Sequence, residues 1–275
     1  MKHCYIRRFT AWLTVLLLVI GCCPIHTKAT EYRHIPITYR GRTVMGGEAK
    51  LIDSVTYVPF RAVCNALGEG DVTWEDSDKT ASYRSDTLTI TAQQGKPYLE
   101  ANGRYLYCEQ GIRNLDSRLY VPIRAMAKAF GVTVTWSPSY HVALDDGEAL
   151  VCGEDYYDET DLYWLSRIIS AESRGETLAG MIAVGNVVMN RVNDSRYPSD
   201  IREVIFQSGQ FTPVQNGSVY RSPVADAVIA AKLCLDGAVV TADALFFCNP
   251  AISVGTWIQN NRPYRMTIGN HAFYA

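Results

Sequence analysis

The sequence predicts an α+β protein in two parts, a repeated strand–helix–strand module followed by a small, mostly helical domain. Three observations predict it: a motif that occurs twice in the first half, helical spacing of apolar residues in the second, and an acidic, glycine-containing stretch between them. The chain has 275 residues, 48% of them hydrophobic and 20% charged. That composition is globular and excludes a disordered, collagen-like or multi-span membrane protein, and the length suits two domains. The net charge is −2, and with no basic footprint a nucleic-acid partner is not expected. The 17 Tyr and 5 Trp suit carbohydrate contact as well as core packing.

Residues 1–29 read as a secretory signal. Lys2, Arg7 and Arg8 precede an apolar run from Ala11 to Ile20, and a helix of about ten residues spans about 15 Å of a hydrocarbon core about 30 Å thick. Two processing routes fit. Thr27-Lys28-Ala29 offers small residues for ordinary cleavage, whereas Val19-Ile20-Gly21-Cys22 resembles a bacterial lipobox, so a membrane tether follows only if Cys22 is lipidated. Either route exports the protein, to the medium or the wall. Five of the eight cysteines (Cys64, Cys108, Cys152, Cys234 and Cys248) lie beyond this segment with no CxxC pair. They leave room for one or two disulfides of unspecified pairing.

The first domain spans residues 34–146. Tyr57-Val-Pro-Phe-Arg-Ala-Val-Cys-Asn-Ala-Leu-Gly68 returns as Tyr120-Val-Pro-Ile-Arg-Ala-Met-Ala-Lys-Ala-Phe-Gly131, and the copies reach Val72-Thr-Trp74 and Val134-Thr-Trp136. In each copy a strand ends at Tyr-Val, proline opens a short helix at its first position, and glycine stops it. Alternating strands such as Thr87–Thr91 follow. Arg61 and Arg124 hold matching helix positions and read as structural ion-pair partners. This half is similar to the copper amine oxidase N-terminal-like domain. The name implies copper, yet the stretch offers only His34 and His141 as imidazoles, without ligand spacing, so no metal or other cofactor is expected. The half reads as a spacer or wall-association module.

Residues 147–161, with Gly147, Gly153, Glu154, Asp155, Asp158 and Glu159, read as a solvated, extended linker. The second domain, 162–275, opens on a helix capped by Thr160 or Asp161 that carries Leu162, Leu165, Ile168 and Ile169 and runs into Ser173-Arg174-Gly175. A second helix covers Glu176–Asn193, with Asn186 and Asn190 off its apolar side. Asp200 and Glu203 are spaced as a capping box. Ser222-Pro223 opens a further helix that Asp236-Gly237 closes, and residues 246–275 read as loop-rich.

Glu172 stands out. It follows Ile168-Ile-Ser-Ala171 at the end of an apolar helix, where desolvation would raise its pKa toward that of a general acid. An ion pair with Arg174 or a neighbouring arginine is the other reading of the same residues. The segments Ile169-Ser-Ala-Glu-Ser-Arg-Gly-Glu176, Ala183-Val-Gly-Asn-Val-Val-Met-Asn-Arg191, Val204–Gln207 with Gly209-Gln-Phe-Thr212, Ala244-Leu-Phe-Phe-Cys-Asn-Pro250 and Ile268-Gly-Asn-His-Ala-Phe273 together resemble the SleB-like cell wall hydrolases of the spore cortex-lytic type. The resemblance implies a compact lysozyme- or lytic-transglycosylase-like fold and peptidoglycan as substrate. It also implies a single essential glutamate, which falls on Glu172. Relatives commonly have alanine where this chain has Ser173.

Cleavage between N-acetylmuramic acid and N-acetylglucosamine needs an acid at the leaving oxygen and stabilisation of an oxocarbenium-like centre. One-glutamate lytic enzymes draw the rest from the substrate, whose own 6-hydroxyl attacks to give a 1,6-anhydro end. Water as nucleophile would give hydrolysis instead, and spore cortex and vegetative wall both fit as targets. Ser173, Gln210, Phe211, Asn249, Trp257 and His271 are the candidate substrate contacts, with Glu176 the nearest second carboxylate. Rival readings are a zinc amidase, for which His271 is the one imidazole of the second half; a cysteine endopeptidase using Cys234 or Cys248; and a non-catalytic wall-binding protein.

Overall fold

The structure, a computed structural model, describes residues 32–137, 139, 141–253 and 257–275. The expected signal and Cys22 lie outside the described residues. Residues 34–275 form one compact unit built on two principal apolar clusters, one in each half.

The first half is strand-rich, in the order β1 (Arg33–Tyr39), β2 (Arg42–Ile52), β3 (Val55–Pro59), α1 (Phe60–Leu67), β4 (Asp71–Glu75), β5 (Thr80–Arg84), β6 (Thr89–Gln93), β7 (Tyr98–Ala101), β8 (Arg104–Tyr107), β9 (Arg113–Leu115), β10 (Arg118–Pro122), α2 (Ile123–Phe130), β11 (Val132–Ser137) and β12 (His141–Asp146). They form a seven-stranded sheet ordered β11-β12-β1-β2-β3-β10-β9 and a five-stranded meander β4-β5-β6-β7-β8. In β5 and β6 every second residue is buried, among them Ala81, Tyr83, Ile90 and Ala92, as a sheet with one covered face requires.

The sequence repeat folds as an internal two-fold. β3 and β10 pair antiparallel with Val58 opposite Val121. The β2–β3 hairpin pairs Lys50 with Tyr57, and the β9–β10 hairpin pairs Arg113 with Tyr120. Side chains obey the same symmetry. Tyr57 donates to the Gly111 carbonyl and Tyr120 to that of Glu48. Lys50 lies over the Tyr120 ring and ion-pairs with Asp116, while Arg113 lies over Tyr57 and pairs with Asp53. Both hairpin turns, Asp53-Ser54 and Asp116-Ser117, have two consecutive residues at positive φ, the pattern of a type I′ turn.

The two helix stops differ. Gly131 is left-handed at φ 65°, as a C-terminal glycine should be. Gly68 is extended, and it is needed for space, since a Cβ there would sit 2.2 Å from the Tyr83 hydroxyl and 2.9 Å from Phe130. The prolines Pro59 and Pro122 are the N-cap residues rather than the first helical ones. Arg61 donates to the Val72 carbonyl (3.1 Å), so it fastens β4 to α1 instead of forming the expected ion pair.

The linker is not extended throughout. Gly153–Tyr156 form a helical turn, α3, and Gly153 and Tyr157 are buried. The second half continues with α4 (Glu159–Ser173), α5 (Leu178–Val192), α6 (Ile201–Phe206), α7 (Thr212–Gln215), a 3-10 turn at Ser218–Tyr220 and α8 (Ala225–Leu235). The cap of α4 is Asp158, whose carboxylate accepts from Thr160 and Asp161 N–H. That lies two residues before the first expected cap. Asp200 accepts from Glu203 N–H as the spacing predicts. Gly237, at φ 92°, closes α8 with Gly237 N–H on Cys234 and Ala238 N–H on Leu233.

The C-terminal stretch is more regular than expected. β13 (Phe246–Cys248), α9 (Trp257–Asn261), β14 (Tyr264–Ile268) and β15 (His271–Tyr274) give a three-stranded sheet ordered β13-β15-β14. The halves meet where β8 packs on α8. There Arg104 and Asp236 form a bidentate pair at 2.8 and 2.9 Å, with side chains 7% and 2% exposed. Lys128 and the Tyr157 hydroxyl also reach Asp236.

Candidate active site

Leu165, Ile168 and Ile169 are fully buried on α4, and the position three to four residues on along that stripe belongs to Glu172. A half-buried carboxyl group thus sits at the border of the core, one residue before the helix ends. Burial pushes its pKa up to about 7. No hydrogen bond or ion pair among the described residues offsets that shift. Arg174 does not pair with it, and instead its guanidinium donates to the Ser222 carbonyl (3.4 Å).

Glu176 contrasts with it. Its carboxylate accepts from the Asn270 backbone and side-chain amides (3.2 and 2.7 Å), which hold its pKa low. It fastens the α4–α5 loop to the β14–β15 turn, where Gly269 is at φ 56° and a Cβ would lie 1.9 Å from a Glu176 oxygen. The two carboxylates are therefore shifted in opposite directions, one up to about 7 by desolvation and the other down by its hydrogen bonds to Asn270.

The expected substrate contacts divide by exposure. Gln210 and Trp257 are exposed, with Trp257 beside Phe246 and under the Arg262 guanidinium. Asn249 is half-buried, and its carboxamide oxygen accepts from Ala251 N–H. Three of the expected residues are not presented for binding. Ser173 is 1% exposed and its hydroxyl donates to the Ile169 carbonyl (2.6 Å). Phe211 is 2% exposed, in the core and against Arg191. His271 is buried against Phe247, and its pKa is lowered by that burial.

Sequence reasoning missed other groups. Asn186 is a buried clamp, donating to the Ala238 carbonyl and accepting from Val240 and Thr241 N–H. Asn190 donates to the Thr241 and Ala244 carbonyls, and Arg191 to that of Leu245. The Gly-Asn-Val-Val-Met-Asn-Arg run is thus the device that pins residues 238–245 to α5. The two asparagines are four apart, and four residues bring side chains to one helix face. A second missed feature is a cavity of about 550 Å³ beside the last turns of α4, lined by Arg167, Ser170, Arg174, Ser218, Arg221 and Ser222 with no carboxylate in its wall. Three guanidiniums suit an anionic group.

The cysteine chemistry considered from sequence does not fit the site. Cys64, Cys108, Cys152, Cys234 and Cys248 are all free thiols. Cys234 is buried between α5 and α8, burial raises its pKa, and its thiol donates to the Ile182 carbonyl. Nor does the donor set of the first half fit a copper ion. His34 is engaged by the Gly47 carbonyl and His141 by the Thr38 hydroxyl, and no cluster of three His, Cys, Asp or Glu occurs among the described residues.

Each half of the chain matches a known family. Residues 175–274 match the Cell Wall Hydrolase family and residues 38–143 the Copper amine oxidase N-terminal domain. The first match begins three residues after Glu172. Spore cortex-lytic enzymes of Bacillus cereus and Bacillus subtilis are 34% and 32% identical over 117 residues, 42% of this chain and 45% and 38% of theirs. The chain thus spans less than half the length of these relatives. Two solved structures are each 34% identical over 43% of this chain, with a TM-score of 0.41. They are the catalytic domain of the germination-specific lytic transglycosylase SleB from Bacillus anthracis, 97% covered, and the catalytic domain of Bacillus cereus SleB, 92% covered.

Proposed function

From a chain whose second half is a SleB-like cell wall hydrolase domain and whose first half is a copper amine oxidase N-terminal-like domain, we propose that the protein is an exported enzyme cleaving the glycan strand of peptidoglycan, with Glu172 as its acid and base. The observation that carries this reading is the Glu172 carboxyl, half-buried at the end of the apolar stripe of α4, where desolvation raises its pKa to about 7. A group with that pKa is protonated in half the molecules at neutral pH, which suits proton donation to a glycosidic oxygen.

The steps follow from one carboxyl. Protonated Glu172 gives its proton to the oxygen joining N-acetylmuramic acid to N-acetylglucosamine as the C1–O bond breaks. The substrate's acetamido group shields the oxocarbenium-like centre. Glu172, now a carboxylate, takes the proton of the muramoyl 6-hydroxyl as its oxygen bonds to C1. The product is a 1,6-anhydro end, and the carboxyl is restored. Glu176, held by Asn270 where it fastens the α4–α5 loop to the β14–β15 turn, has a structural part in this scheme. The cavity of Arg167, Arg174 and Arg221 supports a substrate that bears carboxylates, as muramoyl and peptide-stem groups do.

The test is turnover of purified sacculi by the protein and by Glu172→Gln. Loss of about 10²–10⁴-fold is expected for removal of an acid–base group. Full turnover by the variant would overturn the assignment.

A further inference from the structure

The first half carries two cavities that the internal two-fold exchanges. One, about 570 Å³, is lined by Pro59, Arg61, Trp74, Ser117 and Arg118. The other, about 480 Å³, is lined by Pro122, Arg124, Trp136 and Ser54. Pro59 and Pro122, Arg61 and Arg124, Ser54 and Ser117 are repeat equivalents, and so are the tryptophans of the two Val-Thr-Trp segments. Each cavity joins the helix of one repeat to the type I′ turn of the other, so neither repeat could form one alone. The preservation of the same residue types at both places is not required by the core, because these tryptophans are not in it. Trp74 and Trp136 are 41% and 38% exposed, on β4 and β11, each the edge strand of its sheet. The Trp74 indole N–H is held by Asp76 (3.3 Å), which fixes the ring while leaving a large part of it open.

We propose that these are paired glycan-binding grooves, each taking a pyranose ring of the peptidoglycan strand on its indole. The chemistry is that of a flat apolar face beside hydroxyl and guanidinium donors. A pyranose offers a C–H face with a polar rim, and a muramoyl residue adds a carboxylate. The cavity with Trp74 carries Arg61 and Arg118 and no acidic lining residue, which complements that carboxylate. Arg124 in the other cavity is accompanied by Glu109, so that groove suits the uncharged sugar. Two weak sites on one rigid module bind a polymer with the strength of their joint engagement. The substrate class rests on the function proposed above.

Binding is measured by co-sedimentation of the Glu172→Gln chain, which cannot digest the target, with sacculi freed of phosphodiester-linked polymers. Trp74→Ala and Trp136→Ala should each weaken binding by about tenfold, and the double variant by about a hundredfold or more, the scale of a lost second engagement. Trp74→Tyr with Trp136→Tyr, which keeps an aromatic face, should recover most of it and separates stacking from damage to the fold. Peptide-free glycan strands should compete. Unchanged binding in the double alanine variant, binding only to sacculi that retain their phosphodiester polymers, or competition by peptide stems alone would each overturn the grooves. The outcome is independent of Glu172. Grooves that bind while product analysis finds no glycan cleavage refute only the catalytic reading, and cleavage with unaltered binding refutes only the grooves.

Discussion

The desolvation that suits Glu172 to the proposed acid–base role is a cost to the fold. Its pKa is raised from 4.5 to about 7 in the folded chain, so the native state holds a proton that the unfolded state has already released between those values. Stability from this group is full below about pH 4.5 and is lost as pH rises toward 7. Glu172→Gln should therefore leave stability near pH 4 unchanged and raise it at pH 8 by about 1–3 kcal/mol. Thermal unfolding of both proteins at the two pH values checks this, and a variant less stable at pH 8 would show that the carboxylate is held by partners instead. In the proposed scheme the same titration governs activity, which should fall above about pH 7 as the acid form is lost. This residue was legible in sequence because a lone carboxylate after Ile-Ile-Ser-Ala breaks the apolar pattern. Ser173 and Phe211 were not. A serine can turn its hydroxyl back onto its own helix, and a phenylalanine in a loop motif can serve the core, and neither choice is written in the residue type.

At the scale of elements, the sequence announces what local physics controls. Caps at Asp200 and Gly237, the proline-led helices α1 and α2, and the helical second half follow from short-range rules. What it conceals depends on distant partners. The strands β13, β14 and β15 are short, and β14 and β15 meet across the two-residue turn that Glu176 holds from another element. Gly68 stops α1 as expected, but in an extended conformation, and glycine is needed there for the space that Tyr83 and Phe130 take. The α5 clamp belongs to the same class. Asn186→Leu would leave the Val240 and Thr241 N–H groups and the Ala238 carbonyl without their partner, with an expected loss of about 2–4 kcal/mol. Urea unfolding measures it, and a loss below about 0.5 kcal/mol would contradict the clamp. Gly185 reports on the packing beneath, since a Cβ would lie 2.6 Å from the Cys234 sulfur and 2.8 Å from Ile169.

For the molecule as a whole, the tandem repeat was plain in the sequence, but its consequence was not. The two copies of Tyr-Val-Pro-x-Arg-Ala fold face to face, and each supplies the tyrosine, cation and aspartate that complete the other. The expected linker likewise becomes part of a joint, with Tyr157 and Arg104 converging on Asp236. Asp236→Asn leaves Arg104 buried without its countercharge, and a loss of about 3–5 kcal/mol is expected in unfolding of the full chain. A variant as stable as the parent would mean that the halves are held by apolar contact alone.

The most direct test of glycan cleavage through one carboxyl is mass spectrometry of the muropeptides released from sacculi by the protein and by Glu172→Gln. Anhydro-muramoyl ends that disappear in the variant are the predicted result. Release of such ends at an undiminished rate by the variant, or reducing ends in their place, would contradict it.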